Sequence, residues 1–391
     1  MVEDAARHAK ALRFHVRIIP GQTLAVTRGM YERYLSWVIS CFAWAGLKPR
    51  AYVFGMSPWK NHLRHWLRGE TVSQKSRHVG KAWFRAFIAP AIAARKGSKV
   101  YVWGYKVQPF VEQFCRSHSI PIIRVEDGFI RSISLGASKA PPLSLCFDRS
   151  GMYFDATQRS DLEQLIDTYD FDADADMMAR ARAGIEKLIA SRLSKYNTST
   201  DTDIAAVYGT KTHGKRILVV GQVEDDASIR LGCDRIIDNN ELVRIAAGEN
   251  PQAQIIYKPH PEVLHGTRAN QSDPNDLSDL AMILRQDITL ADAFQTIDHV
   301  YTITSLSGFE ALIRGIPVTC VGMPFYAGWG ATDDRQQCER RTAKRTPEEI
   351  FAAAYILYPR YFHPTLNKPL SFEEAVDLLA EMRGQTEVPI T

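Results

Sequence analysis

"KVYVWGYKVQPFVEQFCRSHSIPIIRVEDG" (residues 99–128) reads as strand, helix, strand, and that succession decides the fold class. "KVYVWG" (99–104) and "IPIIRVED" (120–127) are short apolar runs rich in β-branched and aromatic residues, while "VQPFVEQFCRSH" (107–118) spaces its apolar residues as a helix does. The second run carries two adjacent acids, Glu126 and Asp127, straight into Gly128. Asp-Gly is favourable turn chemistry, but the end of a buried strand is also where α/β proteins keep their reacting groups.

The alternation continues outward. "SDLEQLIDTY" (160–169) and "ADMMARARAGIEKLIASRL" (175–193) are helical by spacing. The polar stretch 197–215, "NTSTDTDIAAVYGTKTHGK", has linker composition and marks a domain boundary. Beyond it "RILVVGQ" (216–222), "AQIIYKPHP" (253–261), "HVYTITS" (299–305) and "PVTCVG" (317–322) read as strands, with "NNELVRIAAGENP" (239–251) and "GFEALIRG" (308–315) as helices between them. "TPEEIFAAAYILY" (346–358) opens with Thr346, Pro347 and Glu349, a capping box, and "SFEEAVDLLAEM" (371–382) repeats the device from Ser371. The expectation is an α/β protein of two Rossmann-like parallel-sheet domains facing a cleft. Their bounds are 1–200 for a domain with a basic N-terminal region and 215–370 for a nucleotide-binding domain. A C-terminal helix in 371–391 returns to the first.

The 391 residues suit about two domains on a prior of roughly 150 residues each. A hydrophobic content of 45% and a charged content of 24% are those of a soluble globular protein. The 6 cysteines form no close pairs, which argues against a zinc site or a disulfide framework and for a reducing compartment. "MVEDAARHAK" is no signal peptide, and the longest nearly uncharged run, 34–47, is shorter than the ~20 residues needed to span a bilayer. The net charge of +4 conceals 18 Lys/Arg against 4 Asp/Glu in residues 1–100. Interleaved with aromatics in "SPWKNHLRHWLRGE" and "KAWFRAF", this is a solvated basic face or a surface for an anionic membrane; no nucleic-acid motif accompanies it.

Three strand ends could carry chemistry. The first is Glu126-Asp127-Gly128. The second is "YKPHPEV" (257–263), where prolines flank His260 and Lys258 lies two residues before it, so that a cation and an imidazole share one side of an extended segment, with Pro261 closing the turn. That suits a phosphate; a satisfied loop histidine is the plain alternative. The third is "TITSLSGFEALIRG" (302–315), where Ser305, Ser307 and Gly308 open a helix and free N–H groups favour an anion. Glu310, read as part of the first turn, would accept ribose hydroxyls or simply favour the dipole. Gln222, Glu224, Asp225 and Asp226 in "GQVEDDAS" (221–228) line the same cleft or form a polar loop. Together these features describe a site for a nucleotide sugar. "DFDADAD" (170–176) lacks the glycine and closing glutamate of a calcium loop and is better read as an acidic helix start. No GxGxxG, P-loop or GxSxG is present.

"RVEDGFIRSISLG", "PPLSLCFDRSGMYFDAT", "SRLSKYN", "GQVEDDASI", "YKPHPEVLHG", "TSLSGFEALIRGIPVTCVGMPFYAGWGATDD" and "YPRYFHPT" together resemble the KpsC/LipB family of capsule β-Kdo glycosyltransferases, in order from about residue 98 to 380, with an upstream echo in "GMSPWK" (55–60). The resemblance implies a GT-B fold and a retaining glycosyltransferase that uses CMP-β-Kdo without a metal. Family members often carry two modules. This chain resembles the C-terminal one, whose role is a β-(2→7) linkage in the poly-Kdo linker of capsular polysaccharide, beside a companion β-(2→4) module. The implied acceptor is a Kdo-terminated lysophosphatidylglycerol-type glycolipid, met by a peripheral protein at the cytoplasmic face of the inner membrane together with capsule assembly proteins. Carried over by motif, the site is Glu126, Asp127 and Gly128, His260 and Pro261, Ser305 and Ser307. "RSISLG" (131–136) keeps Arg131 and Ser132 where the family reads RSSGLG.

Retention implies two displacements through a covalent intermediate, with Asp127 as nucleophile. Strand alternation would turn Glu126 to the opposite side, so that only one acid readily faces the sugar. His260, Lys258, Ser305 and Ser307 would hold the departing phosphate, Glu310 the ribose, and the basic N-terminal region the acceptor. Rival readings are a glycerophosphotransferase of the teichoic-acid polymerase kind, a sugar-nucleotide epimerase, and a non-catalytic membrane-associated scaffold.

Overall fold

Residues 22–43, 47–76, 78–133, 139–195, 197, 202–211, 214–264, 272–366 and 368–386 are described by the computed structural model. Two sheets organise them. The first contains β1 (Arg50–Phe54), β2 (Thr71–Gln74), β3 (Lys99–Trp103), β4 (Ile122–Asp127) and β5 (Ser144–Asp148), and the second contains β6 (Arg216–Val220), β7 (Gln254–Lys258), β8 (Met282–Ile283), β9 (His299–Thr302), β10 (Val318–Cys320) and β11 (Asp333–Asp334). β12 (Pro359–Phe362) and β13 (Pro369–Leu370) then rejoin the first sheet. The orders are β13-β12-β5-β4-β3-β1-β2 and β11-β10-β9-β6-β7-β8.

The second sheet is parallel at every pairing. Its central strand, Arg216–Val220, is buried along its whole length because helices cover both faces of such a sheet. The first sheet departs from the all-parallel expectation. β2, β1, β3 and β4 run parallel, but β5 pairs antiparallel to β4, and β12 and β13 continue antiparallel beyond it. The chain between β4 and β5 contains no helix among its described residues, and a parallel neighbour requires a long crossover. The strand therefore reverses.

Residues 359–361 already pair with β5, ahead of the boundary drawn at 370. The helix Phe372–Thr386 packs on Ala175–Ala190 through Arg180–Glu373 and Lys187–Asp377 ion pairs, and Gly184 leaves room there for the rings of Phe351 and Phe372. Residues 387–391 of that expected helix, 1–21 of the basic region and 134–136 of "RSISLG" lie outside the described residues. Where it is described, at 197, 202–211 and 214–215, the polar stretch 197–215 is not an open linker. It holds the helix Ile204–Tyr208, capped by Asp203, and buried Tyr208 donates to the Ala293 carbonyl. Both capping boxes form, at Thr346/Glu349 and at Ser371/Glu374. A buried clamp joins the halves of the chain: Arg340 and Arg341 both pair with Glu163, which is 3% exposed.

Candidate active site

The C-terminal ends of β1, β3 and β4 in one sheet, and of β6, β7 and β9 in the other, open into a shared cavity of about 1150 Å³. This is where open α/β sheets bind ligands, because the strand ends stop short and leave a crevice.

One wall is acidic. β4 lies between β3 and β5 in register Trp103↔Val125 and Asp127↔Leu145, which holds its last two residues on the cavity wall. Asp127 Oδ2 pairs with Arg131 Nε at 2.9 Å, and that side chain is only 1% exposed. Tyr153 Oη donates to the Asp127 carbonyl at 3.2 Å, and Arg131 Nη1 donates to Ser132 Oγ at 2.8 Å. Asp127 Oδ1 is buried and has no hydrogen-bond partner among the described residues. Glu126 lines the cavity as well, contrary to simple strand alternation. At the last turn of β4 its Oε1 folds back to accept from the Asp127 N–H at 3.1 Å, while Oε2 lies above Gly104, where a Cβ would come within 3.3 Å. Burial raises the Glu126 pKa, the charge of Asp127 adds to the rise, and Lys60 opposes it.

Lys60 was not among the expected site residues. It comes from the short 3₁₀ segment Pro58–His62 after β1, lines the cavity, and sets its Nζ 2.7 Å from the centroid of the Trp103 ring and 5.1 Å from that of Trp59. Burial lowers its pKa against the attraction of Asp127 and Glu126. "GMSPWK" signalled this residue only as a family echo, because its neighbours are far away in sequence.

The opposite wall sets Lys258, His260 and the hydroxyls of Ser305 and Ser307 among the carboxylates of Asp225, Asp226, Glu262, Asp287 and Glu310. Lys258 ends β7 with its Nζ buried and without a hydrogen-bond partner among the described residues; burial lowers its pKa and Asp287 opposes the shift. His260 Nδ1 accepts from the Glu262 N–H at 3.1 Å, so the ring proton resides on Nε2. Ser305 caps the helix Leu306–Leu312, its Oγ accepting from Ser307 N–H at 3.2 Å. Lys258, His260, Pro261, Ser305 and Ser307 all line the cavity.

Several expected residues take other work. Gly128 and Gly308 do not line the cavity. A Cβ on Gly128 would lie 2.3 Å from Ser144 Oγ, and one on Gly308 2.2 Å from Tyr326 Oη, so each is glycine to allow close packing behind the site. Gln222 lines it, but its amide bridges strand ends, accepting from Thr304 N–H at 2.7 Å and donating to Thr304 Oγ1 at 3.1 Å. Asp225 and Asp226 line it, whereas Glu224 turns away to accept from Asn239 and Ser272 N–H groups. In the 170–176 segment, Asp174 caps the helix Ala175–Ala190.

Glu310 is the fifth residue of its helix, past the first turn, and 1% exposed. Its Oε1 accepts from Lys195 N–H at 3.3 Å, Oε2 has no hydrogen-bond partner among the described residues, and burial pushes its pKa up to about 7. A raised carboxyl contributes stability below its unfolded value, which is lost as pH rises through the folded one. Glu310→Gln should therefore gain up to ~3 kcal/mol over wild type at pH 8 and almost nothing near pH 4.5. Thermal melts at the two pH values check this, and an equal shift at both would contradict it.

Residues 99–361 match the family described as capsule polysaccharide biosynthesis protein. The lipopolysaccharide-processing protein LpsZ of Rhizobium meliloti is 42% identical over 334 residues, 85% of this chain and 74% of LpsZ. The capsule polysaccharide modification protein LipA of Neisseria meningitidis is 36% identical over 350 residues, 86% of this chain and 46% of LipA, so the chain spans about half of LipA's length. Among solved structures, the β-Kdo 2,4 transferase of Thermosulfurimonas dismutans KpsC superposes with a TM-score of 0.72 at 34% identity, over 85% of this chain and 98% of the other. The β-Kdo 2,7 transferase of the same protein gives 0.66 at 32%, over 85% and 99%.

Proposed function

The chain belongs to the capsule polysaccharide biosynthesis protein family, and we propose that it is a retaining GT-B β-Kdo transferase that moves Kdo from CMP-β-Kdo to a Kdo-terminated lysophosphatidylglycerol-type acceptor. The observation that carries this reading is a single oxygen. Asp127 Oδ1 is buried without a hydrogen-bond partner among the described residues, on a cavity whose other wall holds the similarly unpartnered Lys258 Nζ. A nucleophile at one wall and an anion seat at the other suit a sugar bound between them.

In the first displacement Asp127 Oδ1 attacks C2 of Kdo, the C2–O bond to CMP breaks, and its electron pair departs on the phosphate. Lys258 and the His260 Nε2–H stabilise that charge with Ser305 and Ser307, and Arg131 fixes the Asp127 rotamer. In the second, an acceptor hydroxyl attacks C2 from the vacated side and the bond to Asp127 breaks. Glu126, its pKa raised toward neutrality, takes the hydroxyl proton. Two inversions give retention. Glu310 receives the ribose hydroxyls. No step requires a metal.

The acceptor is lipid-linked in this reading, and the protein works peripherally at the cytoplasmic face of the inner membrane. Among the described residues no helix is long and apolar enough to cross a membrane. The N-terminal region instead exposes Met30, Tyr34, Trp37, Trp83 and Phe87, with Tyr34 Oη bonded to the Ala86 carbonyl to hold the two segments together. Aromatic residues interleaved with Arg and Lys suit an anionic bilayer.

The β-(2→7) linkage follows the motif resemblance, whereas overall similarity runs slightly higher to the 2,4 transferase, so both products are compared in one test. The protein is incubated with CMP-Kdo generated in place and a synthetic Kdo-terminated acceptor, with and without EDTA, and the product linkage is read by NMR. Transfer unaffected by EDTA is expected. Consumption of CDP-glycerol instead would transfer the assignment to a glycerophosphotransferase.

A further inference from the structure

The donor proposed above carries a carboxylate on C2, the carbon that reacts. As Asp127 approaches C2, its negative charge and that carboxylate come within a few bonds of each other, with Glu126 adjacent. Like charges at that separation repel strongly in a site shielded from water. Asp127 and the phosphate seat define opposite faces of C2, so the carboxylate must lie to one side of the line between them, and a cation is needed there.

Of the cations near this wall, Arg131 is committed to Asp127 and Ser132, while Arg124, outside the cavity lining, is committed to Glu112 and the Gly104 carbonyl. Lys106 lines the cavity but is exposed, and Lys195, whose backbone N–H donates to Glu310, also lines it, its charge acting on Glu310 and, less than that of Lys60, on Glu126. Lys60 differs. Its ammonium is held over the Trp103 ring, forms no hydrogen bond or ion pair with the described residues, and is attracted by Asp127 before any other group. Trp103 ends β3, next to β4 on one side and β1 on the other, so two parallel pairings fix the distance from the Lys60 segment to the acids. An aromatic face positions a cation without consuming its hydrogen-bonding capacity, which leaves its N–H groups for a ligand.

We propose that Lys60, seated on Trp103 beside Asp127, forms a carboxylate subsite that receives the C1 carboxylate of the donor sugar and selects a 2-ulosonic acid donor over a neutral sugar. The inference rests on the Kdo-transferase reading. Burial that lowers the Lys60 pKa fits the role, since an arriving carboxylate restores the favourable charge state.

The test compares Lys60→Met, Lys60→Arg and wild type in two measurements, KM for CMP-Kdo and the dissociation constant of CMP alone. Wild type must first transfer Kdo; failure there removes the functional reading and not this subsite. CMP lacks the carboxylate and sits on the opposite wall, so its affinity should remain within about twofold in both variants and report an intact fold. Lys60→Met is expected to raise KM for CMP-Kdo by about 30-fold, and Lys60→Arg to recover most of that loss. A wild-type KM in Lys60→Met overturns the subsite. So does loss of CMP and CMP-Kdo binding in parallel in both variants, which would make Lys60 a packing residue. Lys344→Met, an exposed lysine outside the cavity lining, serves as the charge-matched control and should behave as wild type.

Discussion

Asp127→Ala is expected to transfer no sugar and to gain no mass, while wild type incubated with CMP-Kdo gains one Kdo residue that maps to the 121–131 peptide. If the proposed double displacement holds, the fall in turnover should be about 10³-fold or more, because a nucleophile has no substitute in it. Arg131 complicates the experiment. Its side chain is 1% exposed and paired with Asp127, and removing one partner of a buried pair costs about 3–5 kcal/mol. Inactivity of the single variant could then reflect unfolding. Asp127→Ala combined with Arg131→Met removes both charges, and replacing a buried pair by apolar groups is often neutral. The double variant should melt near wild type and remain inactive. Recovered transfer in it would assign Asp127 a purely structural role. An adduct on Glu126 would exchange the roles of the two acids, and turnover without any adduct would rule out the covalent intermediate.

Lys258→Met should shift stability and donor binding in opposite directions. In the free protein Lys258 Nζ is buried without a hydrogen-bond partner among the described residues, and burial disfavours its charge. Replacing it with an apolar side chain of similar length should stabilise the fold by about 1–2 kcal/mol. On the proposed reading the same change removes the buried cation that would meet the CMP phosphate, and KM for CMP-Kdo should rise by about 100-fold. Saturating CMP at about 100 times its dissociation constant stabilises wild type by about 2.7 kcal/mol, a gain that the variant should lose. Thermal melts with and without CMP read both effects. A variant that melts lower, or that keeps its CMP shift, would remove Lys258 from the phosphate seat. Loss of CMP binding here, against its retention in Lys60→Met, separates the two walls of the cavity.

Much of the candidate site was legible because its signals are local. Asp127-Gly128, Lys258-Pro259-His260 and Ser305 each sit where an apolar run ends, and a strand end can be read from a few residues. Capping boxes at Thr346 and Ser371 are equally local, three residues from donor to acceptor, and both form. Glu126 was misread for a related reason: alternation describes the interior of a strand, and this side chain folds over its end onto the next N–H. Gln222 was legible as a cavity residue but not as a bridge, since its partner Thr304 is 82 positions away.

What the sequence determined by itself is the class of elements and which polar residues stand at their ends, because hydrophobic period, caps and turn residues act over a few positions. The antiparallel return of β5 and β12, the packing glycines at 128 and 308, and the seat of Lys60 were decided only by tertiary structure. Each depends on which distant strand becomes a neighbour. Lys60 meets Trp103 only because β1 lies beside β3, and β3 beside β4 brings both to the acids. Strand order is settled by the burial of whole faces rather than by any short segment, so a residue whose role depends on that order carries no local mark of it.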